Sequence, residues 1–460
     1  NNDMRTSTHL TSTVTYDDLA EALPYDPASQ VTQILHQLTA TSTPINQAAY
    51  AYNGVGNRTS LTDRRGPQAF GHDPLDRLTS ASHPLLATPQ AFAYDPVGNR
   101  TTGGSVVNAG NQLTTDANYA YLYDDNGNLI RKTFLATGNF TAYTYDAENR
   151  LTKVEDFVAG NPTPAFTSTY RYDGLGRRIE KVANSQTKRY IYDGEDILLE
   201  YDGANVLQAR YTHGRGIDEP IAVTKGGNTF FYHQDGLGTV TDLTNSTGAT
   251  AKSYSYDAYG NLVDQTGTVE QPYTYTGREF DSESGLYYYR NRHLDTTTGR
   301  FLQKDPQFTF RGGDLNIYRY AKSNPILRRD PFGLFSVSGC CGNEDTVRNE
   351  VRGSCSKVTN NISNPPLMAC VLKRCADATL ECEKDCDPPT LGYNRSFLGI
   401  RSSTIHVCTN TAPPWKYGEI AIHEWAHSCG WDHGEGSGVP GDSGVTDIQD
   451  RDPVWAPDAK

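Results

Sequence analysis

"YLYDDNGNLIRK", residues 121–132, decides what kind of fold this chain has, because its pattern returns throughout the sequence upstream of Cys340. It recurs as "YAYNGVGNRTSL" at 50–61, "FAYDPVGNRTT" at 92–102, "YTYDAENRLTKV" at 143–154, "YRYDGLGRRIEKV" at 170–182 and "YSYDAYGNLVDQ" at 254–265. Each copy opens with aromatic residues two positions apart, which puts both rings on one face of a strand. Asp, Gly and Asn follow, the residues that make tight turns at low cost. A second short segment with Arg, Leu or Val closes the unit as the return strand of a hairpin. At a spacing of roughly twenty to thirty residues, such hairpins can stack into one long continuous sheet. The copies share no His, Cys or nucleophile, so they read as architecture rather than catalytic apparatus.

Composition divides the chain. All nine cysteines lie between Cys340 and Cys429, whereas the 29 tyrosines lie mostly before them. Regions so different in chemistry are not expected to share a core, and the boundary is expected between Leu334 and Cys340. A length of 460 residues has room for two or three domains. Charged residues make up 21% and the net charge is −13, which disfavours nucleic acid as a partner. No apolar run approaches the length of a membrane helix, so no membrane span is expected. The opening "NNDMRTSTHL" has no signal-peptide pattern and reads as cut from a longer chain, so it is silent about export.

Nine cysteines leave at least one thiol unpaired unless the chain is cross-linked to another. "PPLMACVLKRCADATLECEKDCDPP", residues 365–389, is expected to form a helix started and stopped by proline, with Cys375, Cys382 and Cys386 on one face. That spacing suits a zinc knuckle poorly. Disulfides to surrounding loops are favoured, which implies work in an oxidising place. Cys429 stands open between a pair with Cys408 and a plain buried thiol.

A second pattern carries chemistry: "EIAIHEWAHSCGWDHGEG", residues 419–436. His423 and His427 are four apart, so on a helix they stand one turn above the other and can grip a single Zn²⁺. Glu424 between them is placed to take a proton from water rather than to ligate. Gly430 is a natural helix stop, after which His433 arrives as a third nitrogen ligand. Three protein ligands leave the open position that catalysis needs, whereas a structural zinc is closed by four. These residues spell HExxHxxGxxH, which resembles the metzincin clan of zinc peptidases. The resemblance covers only this segment. It implies a small α+β zincin-like domain with an active-site helix against a twisted sheet and a methionine-bearing turn below the metal. Here the pattern departs, because Met4 and Met368 are the only methionines and neither follows His433. Asp432 stands as an oxygen-donating alternative at the third position. "STIHVCTN", residues 403–410, reads as a strand, and the resemblance makes it the edge strand that aligns an extended substrate.

Between the two regions lies "LYYYRNRHLDTTTGRFLQKDPQFTFRGGDLNIYRYAKSNPILRRDPFGL", residues 286–334. The repeats resemble the YD repeats of the RHS family, and this segment resembles the RHS core terminus. Pro325 through Leu334 fits its PxxxxDPxGL signature at every fixed position. The resemblance implies a mostly β fold: YD hairpins over 1–285 spiralling into a hollow shell, a core terminus over 286–334, and a variable effector domain over 335–460. It also implies self-cleavage between Leu334 and Phe335, with Asp305 and Asp330 matching the two carboxylates assigned to it and Arg292 a supporting arginine. Two neighbouring carboxylates cannot both ionise cheaply, so one stays protonated and polarises the carbonyl while the other activates water.

Together these readings describe a secreted toxin, delivered into target cells, whose shell encloses a zinc metallopeptidase freed from its tether by aspartic self-cleavage. The partners expected are a protein substrate in the target cell, an immunity protein and a secretion apparatus. Two alternatives stand beside it: a surface or adhesion protein with a vestigial zinc fold, and a zinc amidase acting on cell-wall peptides.

Overall fold

The computed structural model describes residues 25–333, apart from 29, 39–40, 215 and 307–315. It also describes the backbone of the strands Thr6–His9, Ser12–Thr15, Val337–Ser338, Leu380–Glu383, Gly392–Phe397 and Ile400–Cys408. The chain divides into two units, residues 1–305 with 316–333, and residues 306–315 with 334–460.

In the first unit sixteen strands, from Val106–Val107 to Leu262–Gly267, form a single sheet in which each strand pairs with its neighbours in sequence. Six more, from Gln33–Leu38 to Gln90–Ala91, form a second sheet of the same kind. A four-stranded sheet follows, from Glu279–Asp281 to Arg300–Phe301. The stacked hairpins expected from the repeats are therefore present as continuous antiparallel sheets. Among the described residues, helical geometry is limited to three short 3-10 turns.

The repeat pattern explains the stacking atom by atom. In each aromatic pair the second tyrosine reaches back to the hairpin before it. Tyr94 donates to the Leu78 carbonyl at 2.8 Å, Tyr145 to Leu129 at 2.8 Å, Tyr172 to Leu151 at 2.6 Å and Tyr192 to Arg178 at 2.8 Å. Each acceptor is the first residue of the preceding return strand. His213 does the same at its repeat, bonding the Ile197 carbonyl at 2.9 Å. Just before these residues the ladder slips, at Thr144/Tyr145, Arg171/Tyr172 and Ile191/Tyr192. A bulge bends its strand and raises the local twist, so one at the same place in successive hairpins gives the sheet a consistent curl.

The aspartate after the aromatic pair builds the turn. Asp173 Oδ1 accepts from the amides of Leu175 and Arg177, both at 2.9 Å, and Oδ2 accepts from Arg177 Nε at 2.8 Å. The third residue after it must take a left-handed conformation, with Gly127 at φ +83° and Asn149 at +62° in two of the repeats. The residue after that links one turn to the next: Arg177 Nη1 donates to the Gly194 carbonyl at 2.8 Å, and Asn128 Nδ2 to Asn149 Oδ1 at 2.8 Å.

The segment after the repeats gathers these turns. Tyr318 donates to the Gly127 carbonyl at 2.7 Å, Tyr288 to Gly176 at 3.3 Å, Tyr287 to Gly260 at 3.2 Å, and Asn324 Nδ2 to Asp76 at 2.8 Å. Buried ion pairs fasten it further. Arg178 pairs with Asp281 and, at 2.8 Å, with Glu279, and Arg278 pairs with Asp218 at 2.6 Å. Tyr287, Tyr289, Phe301 and Tyr320 of this segment form one core with Tyr190, Tyr211, Tyr232 and Tyr254 of the large sheet.

In the second unit Leu380–Glu383, Ile400–Cys408 and Gly392–Phe397 form a three-stranded sheet in that order. Two expectations change here. Leu380–Glu383 is a strand, parallel to Ile400–Cys408 with Cys382 opposite Val407, so residues 365–389 are not one continuous helix. The strand anticipated at 403–410 is present over Ile400–Cys408, but it is central, with neighbours on both sides, rather than an edge. For 380–383 backbone pairing across the sheet outweighs a weak local helix preference, and for 400–408 the second neighbour departs from what the resemblance implied.

Candidate self-cleavage site

Three residues singled out in the sequence meet in the first unit. Arg292 begins the strand Arg292–Asp295 and is 2% exposed, its guanidinium 3.8 Å from the centre of the Phe301 ring. Its Nη2 lies 3.1 Å from Asp305 Oδ2 and 3.3 Å from Asp330 Oδ2. Thus one nitrogen faces two carboxylates that are 25 positions apart in sequence. The same guanidinium donates through Nη1 to the Ile317 carbonyl at 3.1 Å and through Nε to the carbonyl of Gly333. A planar fork with five donors is the side chain able to make all these contacts at once.

Local structure fixes each partner. Asp305 is half-buried just beyond the strand Arg300–Phe301, with its amide on the Ile317 carbonyl at 2.9 Å. Asp330 is 2% exposed, and its carbonyl accepts from the Gly333 amide at 3.2 Å, closing a turn. Gly333 holds φ +64°, and a Cβ there would stand 2.8 Å from the Tyr289 carbonyl oxygen. Tyr289 and Tyr320, hydroxyl to hydroxyl at 3.1 Å, both pack against the Phe301 ring that lies beside Arg292. Burial raises the Tyr320 hydroxyl well above its ordinary range, with the nearby Asp330 charge adding to the effect. It therefore stays a neutral donor.

Sequence reasoning missed the residues next to Arg292. Arg290 and Asn291 form the two-residue turn between Leu286–Tyr289 and Arg292–Asp295, and both touch residues 331–332. Arg290 also pairs with the buried Asp218 at 2.9 Å. Burial alone would raise the Asp218 carboxyl, but Arg278 and Arg290 together hold it below the usual carboxylate range. The available signal was the "YRNRH" pattern itself, two cations around an asparagine directly after a tyrosine-rich strand.

The scissile pair Leu334 and Phe335 lies outside the described residues, as do His423, Glu424, His427, Asp432 and His433. Among the described residues no group of three His, Cys, Asp or Glu side chains converges as a metal cage would require.

The family described as the teneurin YD-shell matches residues 6–326. The tRNA3(Ser)-specific nuclease WapA of Bacillus spizizenii is 35% identical over 243 residues, covering 51% of this chain and 10% of that protein. Double-stranded DNA deaminase toxin A of Burkholderia cenocepacia is 29% identical over 324 residues, covering 62% of this chain and 22% of that protein. The chain thus spans about a tenth to a fifth of the length of these relatives. Among solved structures, TcdB2-TccC3 aligns over 70% of this chain and 19% of its own, at 18% identity and a TM-score of 0.48.

Proposed function

The chain belongs to the teneurin YD-shell family, and from that premise we propose an RHS-type toxin that cuts itself after Leu334 and carries a zinc peptidase as its effector. It is secreted or delivered into target cells, a reading supported by relatives that are named toxins. The repeat shell cages the effector in the producer, and an immunity protein guards against leakage.

One observation carries the self-cleavage. Asp305 and Asp330 share Arg292 Nη2 at 3.1 and 3.3 Å, while that guanidinium also holds the Gly333 carbonyl, one residue short of the bond to be cut. One guanidinium neutralises one carboxylate, so the other carboxyl keeps its proton at little cost. The ionised carboxylate takes a proton from water, and the water oxygen bonds to the Leu334 carbonyl carbon, whose oxygen the protonated carboxyl polarises. The C–N bond to Phe335 then breaks, leaving a carboxyl at Leu334 and a protonated amine at Phe335. Wild-type protein is expected to run as two fragments on a denaturing gel and to elute as one particle natively. Asp305→Asn and Asp330→Asn are each expected to give one intact chain, and Glu424→Gln to leave the split unchanged. A split lost in Glu424→Gln and kept in Asp305→Asn would transfer the cut to the zinc centre.

The effector reading rests on HExxHxxGxxH. His423, His427 and His433 are a donor set that suits Zn²⁺, with Asp432 the oxygen alternative, and zinc bound there would supply Lewis-acid activation. Glu424 would carry the proton. The names of WapA and the deaminase toxin favour a second reading, an effector acting on nucleic acid. The family model ends at residue 326 here, so residues 335–460 lie beyond it. Elemental analysis of the full chain is expected to find one zinc, lost in His423→Ala. Killing of a sensitive strain by wild type and not by Glu424→Gln, with protein cleaved and tRNA and DNA intact, would favour the peptidase. Degraded nucleic acid would favour the second reading.

A further inference from the structure

Arg290 occupies φ +58°, a left-handed conformation that costs a residue with a Cβ on the order of 1 kcal/mol and is usually left to Gly or Asn in such turns. What the arginine gains there is visible in its contacts. Its Nη1 donates to the Pro331 carbonyl at 2.6 Å, its guanidinium lies 5.2 Å from the centre of the Phe332 ring, and Nη2 is anchored 2.9 Å from Asp218. The next residue, Asn291, takes the next carbonyl, giving both its amide at 3.2 Å and its Nδ2 at 3.0 Å to Phe332. Arg292 then takes the carbonyl of Gly333. Three consecutive residues of a tight turn hold three consecutive carbonyls, in register, on the stretch that leads to Leu334.

We infer that Arg290 and Asn291 are positioning residues for self-cleavage, forming with Arg292 a clamp that presents residues 331–333 by their backbone; this rests on the self-cleavage reading above. Backbone recognition has a physical rationale. The carbonyls are rigidly spaced, so fixing three of them leaves the following peptide little freedom to swing away from the two carboxylates. Such restriction replaces a search through conformations by one reactive pose, and small displacements from that pose are costly in rate. Side chains of the clamped stretch matter less, because apart from the Phe332 ring beside Arg290 the contacts go to main-chain oxygens.

The test follows newly synthesised full-length chain over time on a denaturing gel. Asn291→Ala is expected to slow the cut by about tenfold and Arg290→Ala by about ten- to a hundredfold. Arg290→Lys, which can reach the Pro331 carbonyl but not Asp218 as well, is expected to recover part of the rate. Asn291 is exposed, so its replacement by alanine leaves the core intact and the melting temperature unchanged. Neither residue is the acid or the base of the cut, so the pH profile should fall in height without moving along the pH axis. Phe332→Leu is expected to cut within about twofold of wild type, because it keeps the carbonyl. Wild-type rates in both alanine variants, with Asp305→Asn still uncut, would overturn the clamp and leave the self-cleavage reading standing. A wild-type rate in Asp305→Asn would overturn that reading and the clamp with it.

Discussion

At the scale of single residues, the candidate site turns on one guanidinium and one glycine. Arg292 faces Asp305 and Asp330 through Nη2 and the Gly333 carbonyl through Nε. A lysine supplies the same charge as a single point and cannot span these partners, so Arg292→Lys is expected to slow self-cleavage by at least about tenfold while the chain still folds. A lysine variant that cuts at the wild-type rate would reduce the arginine to a counter-ion. Gly333 is constrained twice over, by φ +64° and by the 2.8 Å that would separate a new Cβ from the Tyr289 carbonyl oxygen. Backbone oxygen cannot move aside as a flexible side chain can. Gly333→Ala is therefore expected to displace residues 331–333 from the Arg290–Arg292 turn and slow the cut by about a hundredfold, read on the same gel.

At the scale of elements, the hairpin repeat and the segment that follows it contribute differently to stability, and two substitutions separate them. Tyr172→Phe removes only the hydroxyl that reaches the Leu151 carbonyl and should cost about 1 kcal/mol. Arg178→Leu leaves buried Asp281 with Lys181 alone and buried Glu279 with only the more distant Arg278, and should cost about 3 kcal/mol, because an undercompensated buried charge outweighs a lost hydrogen bond. Urea denaturation of the two variants checks the order, and equal costs would mean that water reaches the Arg178 cluster. This contrast also marks how far the sequence could be read. Tyrosines two apart, the turn aspartate and the left-handed glycine all act within one repeat, so the hairpins and their stacking were legible from local pattern. Asp330 was legible because the PxxxxDPxGL signature is contiguous, and Asp305 and Arg292 because the whole segment 286–334 resembles a known core terminus. The Arg178–Asp281 pair joins residues 103 positions apart, and the Arg290 contact with Pro331 spans 41, so local pattern names neither partner, although "YRNRH" marks Arg290 itself. The helix expected over 365–389 failed for a related reason: its alternative, pairing Leu380–Glu383 with Ile400–Cys408, is a contact at a distance.

At the scale of the whole molecule, the two large sheets meet at a seam of buried titratable groups, and this sets how the fold answers to acid. His36 of the six-stranded sheet bonds the Gln234 carbonyl at 2.8 Å, and its ring lies 5.0 Å from that of His233 in the sixteen-stranded sheet. Asn46 reaches across to Asp242 at 2.9 Å, and Arg64 pairs with Asp242 at 3.0 Å. Burial lowers His36 to about 4, pushes His233 well down with help from the His36 charge, and lowers His293, packed between Tyr170 and Tyr288, to about 3. A depressed histidine contributes its full stability above the unfolded value near 6.5 and loses it as pH falls towards the folded value. Asp242 runs the other way: burial raises it to about 6, so the folded chain takes up that proton before the unfolded chain does and gains stability as pH drops through this range. Three depressed histidines set against one raised carboxylate leave a net loss of stability as pH falls from 6.5 towards 4.5. The melting temperature is therefore expected to fall steeply between pH 6.5 and 4.5, and His293→Phe, which keeps the ring packing and removes the titration, is expected to flatten the fall. A melting temperature that rises on acidification would mean that Asp242 and its neighbouring carboxylates, not the buried histidines, govern the acid response.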